Sequence, residues 1–354
     1  MKGLILSGGK GTRLRPITYT NAKQLIPVAN KPILFYGIEA IVAAGITDIG
    51  MIVGETRGEI VAACGDGSQF GAEITYIDQP DPLGLAHAVL TAEKFLGDER
   101  FIMYLGDNLI VEGVSRFVEE FEKNAPNAQI LLEHVKNPSQ FGVAELADGK
   151  VIRLVEKPKE PKSDLALVGV YLFDKNIFEA ARNIKPSFRN ELEITDAIQY
   201  LIDKGYTVNP HTITGWWKDT GNVEDLLEAN RLVLDSFAPR LDGFVDSDSE
   251  IVGKVVLEPG CEVRGSVIRG PAIIGKGAKI INSYIGSFTS INDNTQIIGS
   301  EIEHCIVLEN CHIENIPHRI EDSLIGRNVR IGKSDAKPKA LRFVLGDNSE
   351  VGLI

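Results

Sequence analysis

Just past the apolar run KGLIL at residues 2–6 the chain reads SGGKGTRLRPIT, which gathers three glycines, two arginines and a lysine into one short turn. Glycine lets backbone N–H groups come close to phosphate oxygens, and Arg13 adds a forked, permanently charged donor. In an open α/β sheet, ligands collect at the carboxyl ends of strands. A loop of this make-up in that place suits a polyphosphate. It is not a Walker A loop, because no GKS or GKT closes it, and it lacks the GxGxxG spacing of a dinucleotide site. Among 49 Asp and Glu residues, two stand out by context. Asp107 sits in GDN directly after FIMYLG, and Asp219 sits in WWKDTGN ahead of a predicted helix. Their plain structural alternative is a strand end and a helix N-cap. The six histidines form no catalytic cluster. His87 and His134 read as structural, and His304 and His312 beside Cys305 and Cys311 fit corner or core packing of a β-structure better than a zinc site.

These residues need elements to position them. From Met1 to about Ser236, KGLIL, IGMIVG, AEITYI, FIMYLG, AQILLEHV and LVGVYLFD read as strands, several of them nearly continuous in apolar residues as buried parallel strands are. PILFYGIEAIVAAG, GLAHAVLTAEKFL and VSRFVEEFEKN carry apolar residues near helical spacing. Strands alternating with helices predict an α/β, Rossmann-like sandwich with right-handed crossovers over residues 1–236.

After Asp235 the texture changes. SFAPRLDGFVDSDSE is polar and carries Pro239 and Gly243, so residues 237–249 read as a linker. Beyond it apolar residues recur at Ile251, Leu257, Val263, Ile268, Ile274, Ile280, Ile285, Ile291, Ile297, Ile302 and Leu308, in steps of six, six and five. That hexapeptide ladder predicts a left-handed parallel β-helix over 250–354, with three short faces per coil and corners relieved by glycine or asparagine, such as those at VGK, IGK, IGS and IGR. Its regularity weakens after Ile313, and the segment from Ser334 onward is expected to cap the open end.

Composition bounds the function. At 354 residues the chain is long enough for two domains, and its 44% hydrophobic and 24% charged content is that of a folded, soluble protein. A net charge of -12 argues against a nucleic-acid partner. Four cysteines (Cys64, Cys261, Cys305, Cys311) without a CxxC pair fit reduced thiols. The N-terminal apolar run is too short for a signal peptide, and nothing later reaches eighteen apolar residues, so no membrane is expected and the location is expected to be cytoplasmic.

The run LxGGxGTRLxPxT, followed by KQLIPVANKP, resembles the signature of the sugar nucleotidylyltransferases, and the likeness extends over about 235 residues. The resemblance implies a nucleotidyltransferase fold, a Mg2+ ion, and a nucleoside triphosphate and sugar 1-phosphate as partners, with dTTP and glucose 1-phosphate favoured. It implies that Arg13 steadies the departing pyrophosphate, that Lys23 touches the phosphates, and that Gly8, Gly9, Gly11 and Thr12 form the loop around them. Asp107 and Asp219 match the positions that hold the metal. Gln79 and Gly84, in YIDQPDPLGLAHAV, match positions that recognise a pyrimidine, with backbone help from Leu6 and Gly8. FGV, EKP and VGVYLFD match the sugar side: Gly142, Glu156, Val168 and Tyr171 with Asn108 around the sugar, and Lys157 on its phosphate. ELEITD at 191–196 is a further matching block that shapes the sugar pocket.

Three readings follow. The first is attack of the sugar phosphate on the α-phosphorus without a covalent enzyme intermediate, driven by alignment and electrostatics. The alternative is a UTP-using enzyme, or a bifunctional uridylyl and acetyl transferase whose β-helix carries the second activity. A third, a silent regulatory subunit, is disfavoured because the loop arginine and both aspartates are present. The β-helix is expected to serve structure or oligomerisation, giving a homo-oligomer.

Overall fold

The computed structural model describes residues 1–333, 337 and 347–352. It divides into two compact units. One comprises Met1–Lys10, Asn21–Leu25 and Ile33–Asp219; the other comprises Gly11–Thr20, Ile26–Pro32 and the chain from Thr220 onward.

The first unit is built on one nine-stranded sheet. Glu73–Asp78, Asp48–Val53, Lys2–Leu6 and Phe101–Leu105 lie side by side and parallel. Leu165–Phe173 then runs antiparallel to Phe101–Leu105, and Ala128–His134 antiparallel to it in turn. The sheet is therefore mixed, whereas the apolar runs at 128 and 165 suggest parallel strands. Apolar continuity reports burial on both faces and does not report direction. Successive residues alternate between two cores: Leu4, Leu6 and Met103 join one, and Ile5, Ile102 and Tyr104 the other. Helices Leu85–Thr91 and Ile194–Asp203 supply the first core, helices Ile33–Ala43 and Ser115–Asn124 the second. A sheet covered on both faces is the layered α/β sandwich that the sequence predicts.

Register decides where the site lies. Leu6 pairs with both Ile52 and Leu105, and Ile52 in turn with Ile77, so the carboxyl ends of four parallel strands stop level with one another. Three hydrogen bonds extend that alignment past the strands. Ser7 N donates to Ile52 O (2.8 Å), Gly106 N to Leu6 O (3.0 Å) and Gln79 N to Val53 O (2.9 Å).

In the second unit, short parallel strands stack into three sheets of six, six and five strands, the faces of a left-handed β-helix. Inward residues form aliphatic files. Ile251, Ile268, Ile285, Ile302 and Ile320 make one, and Val245, Val263, Ile280, Ile297, Ile313 and Ile331 another. In the third file Ile291 pairs with Val307 rather than Leu308, because the coil there is one residue shorter. Between Ile302 and Ile320 the insertion NIPHR lengthens a coil instead, and the ladder then resumes through Ile325 and Ile331.

One corner carries a ladder that the apolar spacing does not reveal. Ser266 N donates to Ser249 Oγ (3.1 Å), Ser283 N to Ser266 Oγ (3.0 Å) and Ser300 N to Ser283 Oγ (3.2 Å), each over a separation of 17 residues. The left-handed corners fall on glycines and asparagines alike, Gly260, Gly265 and Gly277 beside Asn282, Asn294 and Asn310, and of the glycines in VGK, IGK, IGS and IGR only Gly253 and Gly299 have a left-handed backbone. Gly275 is glycine for a different reason, since a Cβ there would lie 2.5 Å from Asp293 Oδ1. The stretch expected as a linker contains strands Arg240–Leu241 and Phe244–Val245, which pair with Val256–Leu257 and Glu262–Val263 and begin the first coil. Two-residue strands are too short to show a period. The expected C-terminal cap lies largely outside the described residues.

Candidate active site

The centre of the first unit's strand ends is an ion pair. Between strand Phe101–Leu105 and the short strand Asn108–Ile110 the chain turns at Gly106–Asp107, which leaves the Asp107 carboxylate at the sheet edge. Lys23, from the turn Lys23–Leu25, donates to Asp107 Oδ2. Both side chains are largely enclosed, 15% and 13% exposed. Burial by itself would push the Asp107 carboxyl up; the Lys23 ammonium and the Asn108 amide (Nδ2 to Oδ1, 3.0 Å) outweigh it and hold the group below the usual carboxylate range. Asp107 is thus an ionised oxygen donor at neutral pH.

Gly9 of the loop lies against the same lysine. A Cβ on Gly9 would stand 3.2 Å from Lys23 Cε, so the loop backbone and the ammonium share one small space. Two buried side-chain oxygens nearby in sequence, Ser7 Oγ and Gln24 Oε1, have no hydrogen-bond partner. Buried polar atoms are normally satisfied. Their lack of one, beside a glycine loop and a cation, marks a place built for a polar ligand.

An antiparallel ribbon pairs Asp219 with Asn108, the residue after Asp107, and Trp217 with Ile110. Trp217 Nε1 donates to Asn108 Oδ1 (2.5 Å), and Asn108 O accepts from the buried Tyr104 hydroxyl (3.0 Å). Gly169 must lack a side chain here, because a Cβ would fall 2.5 Å from Asn108 Oδ1. Asp219 is not the N-cap of the following helix, Val223–Asp235; Asn222 is, accepting from Asp225 N. Asp107 in its turn and Asp219 on the strand paired with Asn108 offer carboxylate oxygens, a donor set that suits a hard divalent cation whose remaining positions fall to phosphate and water.

On one side of this centre Gln79 follows strand Glu73–Asp78, its Oε1 3.7 Å from where a Gly8 Cβ would be. His87 Nδ1 lies 2.9 Å from Gln79 Nε2 and so fixes the amide's orientation, a part that the sequence reading did not give it. Gly84 opens helix Leu85–Thr91 at φ 107, with Leu192 O only 2.4 Å from a would-be Cβ. No other residue type fits there.

On the other side Glu156 ends strand Lys150–Glu156, paired with Gly142. Thr195 Oγ1 donates to Glu156 Oε2 (3.3 Å), and Arg189 Nη1 lies 3.5 Å from Oε1. Burial, then the neighbouring Glu193, pushes the Glu156 carboxyl up against the opposing pull of Lys157, Arg189 and Thr195. Tyr171 is buried, its hydroxyl pushed well up by burial and by Glu156. Val168 is wholly buried in the core. Lys157 is exposed, in a left-handed conformation (φ 43), with its N–H bonded to Phe141 O. Phe141 meets Trp217 edge to face at 5.2 Å, joining this cluster to the Asp107 ribbon. Arg189, which also contacts Glu191 and Glu193, went unnoticed in the sequence because only folding sets it opposite Glu156.

Gly11, Thr12 and Arg13 belong to the second unit. Gly11 adopts φ 61 to start the turn Thr12–Leu14, Thr18 Oγ1 donates to Gly11 O (2.7 Å), and the Arg13 side chain is exposed. Only three residues separate Arg13 from Gly9 along the chain.

Known proteins bear on this geometry. A family model described as nucleotidyl transferase matches residues 2–236. A glucose-1-phosphate thymidylyltransferase from Streptomyces antibioticus is 59% identical over 353 residues, 99% of each chain. Another from Streptomyces griseus is 57% identical over 350 residues, covering 99% of this chain and 98% of that one. A crystal structure from Bacillus anthracis, of a candidate glucose-1-phosphate thymidylyltransferase in complex with a sucrose, superposes with a TM-score of 0.63 at 39% identity, covering 68% of this chain and 98% of that one.

Proposed function

The chain belongs to the nucleotidyl transferase family, and from that premise we propose that it joins dTTP to glucose 1-phosphate, giving dTDP-glucose and pyrophosphate. Relatives that match over nearly the whole length and carry the name glucose-1-phosphate thymidylyltransferase support the substrate pair. The observation that carries the reaction type is the enclosed Lys23–Asp107 pair against Gly9, with Asp219 paired to Asn108 next to Asp107.

In this reading a phosphate oxygen of glucose 1-phosphate attacks the α-phosphorus in line. A new P–O bond forms as the bond from the α-phosphorus to the bridging oxygen breaks, and the electron pair leaves with pyrophosphate. The nucleophile is already anionic, so no general base is required. Gly8, Gly9, Gly11 and Thr12 offer backbone donors to the triphosphate, and Arg13 and Lys23 offset the charge that builds on the leaving group. Gln79, held by His87, presents an amide edge to the pyrimidine beside Leu6 and Gly84. Glu156 accepts from sugar hydroxyls near Gly142, Asn108, Val168 and Tyr171, and Lys157 holds the sugar's phosphate. Asp107 and Asp219 would hold the divalent cation, which we assign as Mg2+; when bound it supplies charge neutralisation at the α-phosphate.

We assign this chemistry to residues 1–236 and place the protein in the cytoplasm as a homo-oligomer. All four cysteines are free and buried, and burial pushes Cys64 and Cys305 up to about 12, so these thiols are unreactive and fit a reducing compartment. Pyrophosphate release measured for four nucleoside triphosphates against several sugar 1-phosphates tests the assignment. The highest kcat/KM is expected for dTTP with glucose 1-phosphate; a faster reaction with UTP, or none, overturns it. Sedimentation gives the oligomeric state. Free thiol released from acetyl-CoA and glucosamine 1-phosphate would reveal a second activity in the β-helix.

A further inference from the structure

Asn230, on helix Val223–Asp235, is wholly buried, and its side-chain hydrogen bonds reach outside its own helix. Its Oδ1 accepts from Ala29 N (2.8 Å) and from Ser290 Oγ (2.6 Å), and its Nδ2 donates to Phe288 O (3.0 Å). Ser290 lies in the β-helix strand Thr289–Ile291, where Ile291 O accepts from Asn30 Nδ2 (2.8 Å). One amide therefore ties a β-helix coil to the tip of the hairpin Pro27–Val28/Lys31–Pro32.

That tip needs tying. Ala29 and Asn30 both sit at positive φ, 48° and 61°, the backbone of a tight two-residue hairpin turn. Asparagine tolerates this conformation, whereas alanine is strained in it. The bond from Ala29 N to Asn230 and the bond from Asn30 to Ile291 hold a turn that local preference would not. Four residues before Pro27 in the chain is Lys23.

We propose that Asn230 is a positioning residue for the nucleotide side of the reaction: by clamping the hairpin tip to the β-helix it fixes the path of the chain that carries Lys23. This gives the β-helix a part in catalysis, and it rests on the reading of Lys23 as a phosphate-binding group. A second contact points the same way. A Cβ on Gly326, in the coil following strand Leu324–Ile325, would lie 3.0 Å from Ile17 Cδ1, so this coil lies against the back of the loop that bears Arg13.

The test compares the parent protein with Asn230→Ala and with Asn30→Gly, which keeps the left-handed turn and removes only the bond to Ile291. Asn230→Ala is expected to raise the KM for the triphosphate about tenfold, as the loss of a buried hydrogen-bond partner would, and to leave the KM for the sugar phosphate within about twofold. Asn30→Gly, at a partly exposed position whose positive φ glycine accepts, is expected to shift the triphosphate KM about threefold in the same direction. Hydrogen exchange at residues 23–32, with and without triphosphate and Mg2+, is read in parallel and needs no turnover. Triphosphate-induced protection there in the parent, lost in Asn230→Ala, supports the clamp even if the reaction turns out to be another. Unchanged triphosphate KM in both variants overturns it, and so does an equal rise in both KM values with faster exchange throughout the chain.

Discussion

The sheet unit and the β-helix treat buried polar groups in opposite ways. In the β-helix a single solution is repeated: Ser249, Ser266 and Ser283 each accept from the backbone N–H of the serine on the next coil, and Ser300 accepts from Ile316 N. At the strand ends of the sheet nothing repeats. Asp107, Asn108, Gln79 and Glu156 each have partners unlike the others', and Ser7 and Gln24 have buried oxygens with none. A repeating structure can satisfy its polar atoms by stacking identical units, and is stable for that reason. A site must leave some of them to be completed by what it binds.

Substitutions that separate stability from turnover test that contrast. The largest effect is expected from Arg13→Ala, about 100- to 1,000-fold in kcat, with an unchanged melting temperature because the side chain is exposed; near-normal pyrophosphate release by the folded variant would remove Arg13 from the mechanism. Ile297→Ala, at a wholly buried position in the middle of its file, should lower stability by about 2–5 kcal/mol in denaturant titration. Both KM values should stay as they are, and a selective rise in one would blur the contrast. Ser283→Ala breaks one rung and strands Ser300 N, at a cost of about 1–3 kcal/mol. An unchanged unfolding midpoint would mean that the serine ladder is ornament.

The smallest shift should come from Glu156→Gln, and it depends on pH. The folded-state carboxyl of Glu156 is raised above its ordinary value, chiefly by burial and next by Glu193, so ionising it costs folding energy once the pH passes above the ordinary carboxylate range. Below that range Glu156 is protonated in both states and the penalty is absent. The glutamine variant should therefore melt higher than the parent at pH 7 and match it near pH 3, while its KM for the sugar phosphate rises. A constant difference across that window would locate the effect in packing instead.

Much of the architecture was legible in the residues. Apolar recurrence in steps of six, six and five implied stacked coils, since each inward side chain needs a neighbour above and below. It missed the shift from Leu308 to Val307, because a one-residue deletion within a coil leaves both residues apolar, and it missed Arg240–Leu241 and Phe244–Val245, because an opening coil has neighbours on one side only. The loop SGGKGTRL announced phosphate chemistry by composition alone. The partners of its ligand were quieter: Arg189 opposite Glu156, or His87 beside Gln79, are ordinary residues until folding sets them 3.5 and 2.9 Å from a neighbour.

The chain by itself determined what repeats and what is local: two textures, the strand-then-glycine loop, and the residue types suited to phosphate, because period and turn preference act over a few residues. Tertiary structure alone decided what meets across distance. Asp219 reaches Asn108, the neighbour of Asp107, only through the pairing of two three-residue strands, and Asn230 reaches Ala29 across 201 residues of chain. Such meetings follow from register and burial summed over the whole core, and no window of sequence contains them.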